Sequence, residues 1–197
     1  YILKGIELSK KANNPARMAV LLGMASEVYH ALGNDAEALR YIDEACQGEK
    51  SLNREDRLIV RLAQKASVLI GMHQYQEAER ILSEVIPSLR KMKNRHSLGI
   101  ACNKMGMTLL SQEREKEAIP YYREAADIFV VMGDIHNEMH SRRGLYESLW
   151  HHRPDSAKLE LDRFNELKDS LYSNATAESM ARYNAEFGTD QLRIENE

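Results

Sequence analysis

Across 197 residues the 27 Lys and Arg are offset by 30 Asp and Glu, so the chain has no global attraction for a phosphate backbone, and nucleic-acid binding would need a strong local basic patch. Two cysteines make neither a metal-type pair nor a secreted disulfide framework, and no apolar run approaches the ~20 residues of a membrane span. Ala, Leu, Glu, Lys and Arg dominate over Gly, Pro, aromatic and β-branched residues, which is the composition of a helical protein.

Residues 1–14 begin with Tyr1-Ile2 and Gly5, which stand 40 residues before Tyr41-Ile42 and Ala45. They read as the second helix of a two-helix unit whose first helix precedes them. Asn14-Pro15 then sets a cap before a proline at the first helical position. In the unit 15–53, Leu22 and Tyr29 share one face of a first helix, and Gly33-Asn34-Asp35 offers a terminating glycine followed by cap candidates. The second helix opens with DAEALRYI at 35–42, placing Ala38, Ile42 and Ala45 on one face.

The unit 54–93 repeats the pattern. Asn53 with Asp56 three residues later suits a helix start, Leu62 and Leu69 repeat Leu22 and Tyr29, and YQEAERIL at 75–82 carries Ala78, with Leu82 and Val85 following. The basic run RKMKNRH at 90–96 reads as a helix C-terminus whose cations complement the macrodipole. In the unit 94–133, Cys102 and Leu109 precede EKEAIPYY, with Ala118, Tyr122 and Ala125. Pro87 and Pro120 fall inside second helices and remove a backbone donor, so a local bend or irregular turn is expected at each.

In the unit 134–172, Leu145 and Leu149 keep the register of Met105 and Leu109, but Ala157 comes one residue early because the turn HHRPDS is short. Residues 173–197 carry Met180, Tyr183 and Phe187 at helical spacing before turning polar, which suits a capping or connecting helix. Ala38, Ala78 and Ala118 recur every 40 residues amid long, charged neighbours, because two helix backbones cross closely there and a larger side chain would collide.

The pattern Ala38-Ile42-Ala45 and Ala118-Tyr122-Ala125, with Gly106 after Met105, resembles the tetratricopeptide repeat. The family's period is about 34 residues. Here it is 40, with the surplus after Ala45, Val85 and Ala125. The resemblance implies an all-α, right-handed α-α superhelix with long repeats of about 40 residues. It also implies a concave groove lined by the first helix of each unit. The register puts Glu27, Ser67, Met107 and Glu147 in one row of that groove and Gly23, Ala63, Asn103 and Arg143 in another, with Gln64 and Lys104 adjacent. The candidate binding residues are therefore Glu27, Gln64, Ser67, Asn103, Lys104, Met107, Arg143 and Glu147. The co-chaperone subclass grips a C-terminal carboxylate with Lys and Asn at places that here carry Gly23, Glu27 and Gln64, which departs from that function.

Catalytic signatures are missing: there is no Gly-rich phosphate loop and no recognisable nucleophile motif. Carboxylates such as Glu77 and Glu79 beside Arg80 read as surface ion-pair partners. His136 and His140 lie four apart on one helical face, with His151 and His152 in a nearby turn, but no third ligand is fixed; they read as solvated or capping residues. The expectation is a module that is not an enzyme, with no metal and no cofactor, that binds a protein or peptide partner rather than nucleic acid. A homodimer is a further option.

Finally, Asp169-Ser170-Leu171-Tyr172 and the helix with Ala185-Glu186-Phe187 resemble the segment that closes the repeat region in Bacteroidetes signalling proteins. There a repeat sensor region, normally periplasmic, is followed by a membrane span and a histidine kinase or AraC-type DNA-binding domain. Gly188 departs from a continuous signalling helix and weakens it by about 1 kcal/mol. This resemblance implies the periplasmic sensor region of an inner-membrane regulator. The alternative is a soluble cytoplasmic adaptor using the same groove.

Overall fold

Seven residues take a left-handed backbone, Asn13, Gly33, Asn53, His73, Lys93, Glu113 and Gly133, and each stands 20 positions after the last. At every one the following residue donates its N–H to the carbonyl five positions back, as Asn34 does to Tyr29 at 2.9 Å and Arg114 to Leu109 at 3.0 Å. This is the paired backbone closure of a helix end that rewards a left-handed residue at its centre. One turn, repeated at constant phase, therefore sets the architecture.

The computed structural model describes the backbone of residues 1–195 and the side chains of residues 1–179. Between the turns run α1 (Ile2–Lys11), α2 (Pro15–Ala31), α3 (Asp35–Ser51), α4 (Glu55–Gly71), α5 (Tyr75–Lys91), α6 (Arg95–Leu110), α7 (Glu115–Met132), α8 (Ile135–Leu149) and α9 (Pro154–Glu195). No strand occurs among the described residues. Asn14, Asn34, Asn94 and Asp134 cap the next helix by accepting from the N–H groups of Arg17, Glu37, Ser97 and Asn137. Arg54, Gln74 and Arg114 hold the same place without a side-chain cap.

Each helix packs on its chain neighbours. In addition, the backbones of α2 and α4, of α4 and α6 and of α6 and α8 approach closely, whereas the odd-numbered helices show no comparable backbone approach among the described residues, and α5 and α7 meet through Arg90 Nε donating to Glu124 Oε1 at 3.0 Å. The even-numbered helices thus form an inner layer and the odd-numbered ones an outer layer of a superhelix. Ala38, Ala78 and Ala118 are fully buried, as are Ile42, Leu82, Ala45, Val85 and Ala125. Burying a side chain such as Leu82 stabilises the fold by about 1.5–3 kcal/mol.

Glycines on the inner helices receive outer-helix rings. A Cβ on Gly106 would lie 2.7 Å from the Tyr122 ring, one on Gly144 2.2 Å from the same ring, and one on Gly99 2.7 Å from Phe129. The main core runs from Ala66 to Ala157, and a smaller one gathers Leu22, Ala25, Tyr41, Ile42 and Ala45. Glu49, fully buried, lies near the division, where the next two units carry Leu89 and Phe129. Arg54 Nε and Arg61 Nε approach its carboxylate at 3.2 and 3.7 Å, but neither carboxylate oxygen nor Arg61 Nε has a hydrogen-bond partner.

Three expectations change. The helices α5 and α7 run unbroken through Pro87 and Pro120, with no irregular turn. Both prolines are exposed, as are Ser83 and Lys116, whose carbonyls lose their helical donor, so the forfeited bond lies on the solvent face of each helix. Asn53 is the left-handed turn residue rather than a cap, and Arg54 takes the cap position. No break separates 134–172 from the terminal segment: α9 is one helix from Pro154 onward, starting one residue early in the register because the turn at His151 and His152 lacks a left-handed residue. The side chains of Met180, Tyr183 and Phe187 lie outside the described residues.

Candidate functional site

The inner layer presents two adjoining concavities. The first, about 280 Å³, lies across α2, α4 and α6 and is lined in part by Glu27, Val60, Ala63, Gln64, Ser67 and Lys104. The second, about 510 Å³, lies across α6 and α8 and is lined in part by Asn103, Lys104, Met107, His140, Arg143 and Glu147. Ile100 and Lys104 belong to both, which makes one continuous groove. All eight candidate residues line it. Gly23 does not: it is buried beneath the Arg61 guanidinium, and a Cβ there would lie 2.3 Å from Arg61 Nη1.

The groove is wired by polar contacts. Arg61 donates to Gln64 Oε1 at 2.8 Å, and Gln64 Nε2 donates to Glu27 Oε1, so the buried Glu49 region is linked to the groove mouth. Asn103 Nδ2 donates to the Asn137 carbonyl at 3.4 Å and its Oδ1 accepts from Ser141 Oγ at 2.8 Å. Asn103 is therefore engaged at both ends in clamping α6 to α8. Arg143 Nε donates to Glu147 Oε1 at 2.8 Å, satisfying both charges on one helix.

Lys104 differs from these. It is half-buried, makes no ion pair among the described residues, and burial pulls its pKa below the ordinary lysine value. His136 and His140 stand beside it, their Nε2 atoms 3.3 Å apart and their rings edge to face. Burial lowers the His140 pKa first, and the charges of His136, Lys104 and Arg143 lower it further. His151 and His152 sit past the far end of α8, so the four imidazoles do not converge. Among the described residues no group of three or more His, Cys, Asp or Glu could hold a metal ion.

The two aligned rows leave out one line of the groove. Val60, Ile100 and His140 are spaced by 40 and all line the concavities, as does Tyr122 from the outer layer. The same register that places Ala63, Asn103 and Arg143 would find them, but on sequence alone an apolar residue reads as core and a histidine as solvated surface.

Residues 100–129, which lie on α6 and α7, match the family model described as tetratricopeptide repeat. Among solved structures, the crystal structure of BtubC (BKLC) from P. vanneervenii aligns with a TM-score of 0.70 at 14% identity, covering 80% of this chain and 66% of that one. The chain thus spans just under two thirds of that protein's length. Two crystal structures of a kinesin-light-chain candidate from Podosopora anserina, made of nearly identical TPR-like repeats, align with TM-scores of 0.68 and 0.61 at 13% identity, covering 87% and 86% of this chain and 85% and 88% of those. The fold is a tetratricopeptide-type solenoid. Curated proteins give no match. Such solenoids generally serve as scaffolds for binding other proteins, through the concave surface that curvature creates.

Proposed function

We propose that this tetratricopeptide-type solenoid is a non-catalytic module that binds a protein or peptide partner along its inner groove. We further propose that it does so as the sensor region of a membrane-anchored regulator, in the periplasm. The observation that carries the binding reading is the continuity of the groove: two concavities sharing Ile100 and Lys104 span all four inner helices. A surface of that reach suits an extended or helical segment, and its mix of apolar and polar lining residues suits side-chain recognition.

The sensor reading is supported by the resemblance of residues 169–187 to the closing segment of signalling proteins and by α9, which continues well past the point where a repeat helix would end. No described helix is long and apolar enough to cross a membrane, so an anchor would belong to other parts of a longer protein.

Selection of a displayed random peptide library on the folded chain, repeated on a variant with Ser67→Trp and Met107→Trp, tests the binding reading. Those substitutions fill both concavities without altering charge. Peptides that bind the parent and not the filled variant are expected; recovery of none with that dependence rejects the groove. For the sensor reading, Phe187→Ala in the intact protein should spare binding and impair output. Unaltered output rejects α9 as the transmitting element.

A further inference from the structure

Resting on the groove reading above, we infer that the α6–α8 concavity is a subsite for a carboxylate side chain of the bound peptide, anchored by Lys104 and coupled to proton uptake by the paired imidazoles of His136 and His140.

Unmatched charge singles out this place. Arg143 is neutralised by Glu147, and Asn103 is engaged by α8 at both ends, so neither is free without breaking an existing contact. Lys104 alone faces the cavity with a charge that burial disfavours and no acid compensates among the described residues. A half-buried ammonium of this kind gains most from an anion that replaces lost hydration. A carboxylate fits the donors present: the Lys104 ammonium and an imidazole N–H lining the same cavity.

Charged and titratable groups reach the histidines from every neighbouring element. They are Lys104 on α6, Tyr122 on α7, Arg143 and Glu147 on α8, and Lys168 and Tyr172 on α9, which with His136, His140 and Arg143 line a third cavity of about 450 Å³. Glu147, the acid in this set, is already paired with Arg143. In the free protein the His140 imidazolium is therefore disfavoured by burial and by surrounding cations. A bound carboxylate reverses that balance and raises the imidazole pKa, so the complex takes up a proton. Linkage then fixes the sign: affinity rises as pH falls through the histidine range and levels off above it. At the opposite end of the groove Glu27 presents an acid, so the site is polarised along its length and sets the direction of the peptide.

The test uses peptides selected on the parent chain, measured by fluorescence anisotropy at pH 6 and pH 8, with folding of each variant checked by thermal melts. Asp or Glu at a fixed position is expected. Lys104→Met should weaken binding at least tenfold, and amidating the peptide's acid should weaken it equally without adding to the Lys104→Met loss. Affinity should be tighter at pH 6 than at pH 8, by a factor below the roughly tenfold ceiling that a one-unit rise of one imidazole supplies over its full titration. His136→Gln with His140→Gln should flatten that profile. Groove-dependent peptides that lack an acid, or that ignore Lys104→Met, overturn the carboxylate subsite and leave the groove reading standing. Equal affinity at the two pH values overturns the proton coupling. Peptides that ignore Ser67→Trp with Met107→Trp remove the groove reading and this inference together.

Discussion

The Tyr122 ring sits between Gly106 and Gly144, so that one outer-helix side chain holds two inner helices at a fixed separation. Gly144→Ala would place a methyl 2.2 Å from that ring. Alanine contributes about 1 kcal/mol of helix propensity, but overpacking a tight site costs about 1–3 kcal/mol. The expected result is a net loss of stability, read as a lower midpoint in urea. A midpoint at or above the parent value would show that the ring moves aside freely.

Ala78 is fully buried where α4 and α5 cross. Ala78→Leu should cost roughly 1–3 kcal/mol through the same overpacking. An unchanged denaturation midpoint would show that this crossing is loose.

The buried Glu49 and Arg61 occupy places that carry Leu89 and Ala101 in the next unit. Removing one partner leaves an uncompensated buried charge, so Glu49→Leu alone should destabilise by about 3–5 kcal/mol. Glu49→Leu together with Arg61→Ala recreates the neighbouring unit's pairing and should recover most of that loss. If the double variant is no more stable than the single one, the ion pair is not what penalises Glu49→Leu.

Glu113 holds a left-handed backbone with φ 60°, which costs an ordinary residue about 1–2 kcal/mol relative to glycine. Glu113→Gly should therefore raise the melting temperature, and Gly133→Ala, at φ 67°, should lower it. Shifts of the same sign in both variants would contradict the turn geometry.

Burial pushes the Cys46 thiol up to about 11, with Asp43 adding to the effect, and pushes Cys102 up to about 12, with Glu124 adding to it. A raised thiol pKa keeps the neutral form dominant well above neutrality. Both should resist an aromatic disulfide reagent at pH 8 until the chain is unfolded. Rapid release of one equivalent from the native protein would place a thiol in a more open setting.

Much of this architecture is legible in the amino-acid sequence. Ala38, Ala78 and Ala118 carry the period and the crossing, and Gly33 and Asn14 mark two of the seven turns. His73, Lys93 and Glu113 do not read as turn residues, because nothing in their chemistry favours a left-handed backbone; the recurring hydrogen bonds around them impose it. Pro87 and Pro120 mislead for a related reason. A proline costs a helix most when the residue that loses its donor is buried, and here Ser83 and Lys116 both lie on the exposed face of their helices. In the groove, the two aligned rows hold six of the eight candidates and Gln64 and Lys104 lie beside them, but the line of Val60, Ile100 and His140 escapes the rows, while Gly23 is hidden by Arg61, a residue that composition alone would place in solvent. Glu49 is invisible on its own, though its alignment with Leu89 and Phe129 marks it as an acid in an apolar position.

Close backbone approach along the inner row of helices, with α5 and α7 in the outer row joined through side chains such as Arg90 and Glu124, gives the array the mechanics of a beam whose neutral line lies off centre. When it bends, the inner edge keeps its length and the outer edge absorbs the strain by opening between helices whose backbones stand farther apart. The spacing between successive groove positions is therefore preserved through flexing. A partner can alter the curvature of the whole array while every one of its side chains stays opposite the same receptor residue.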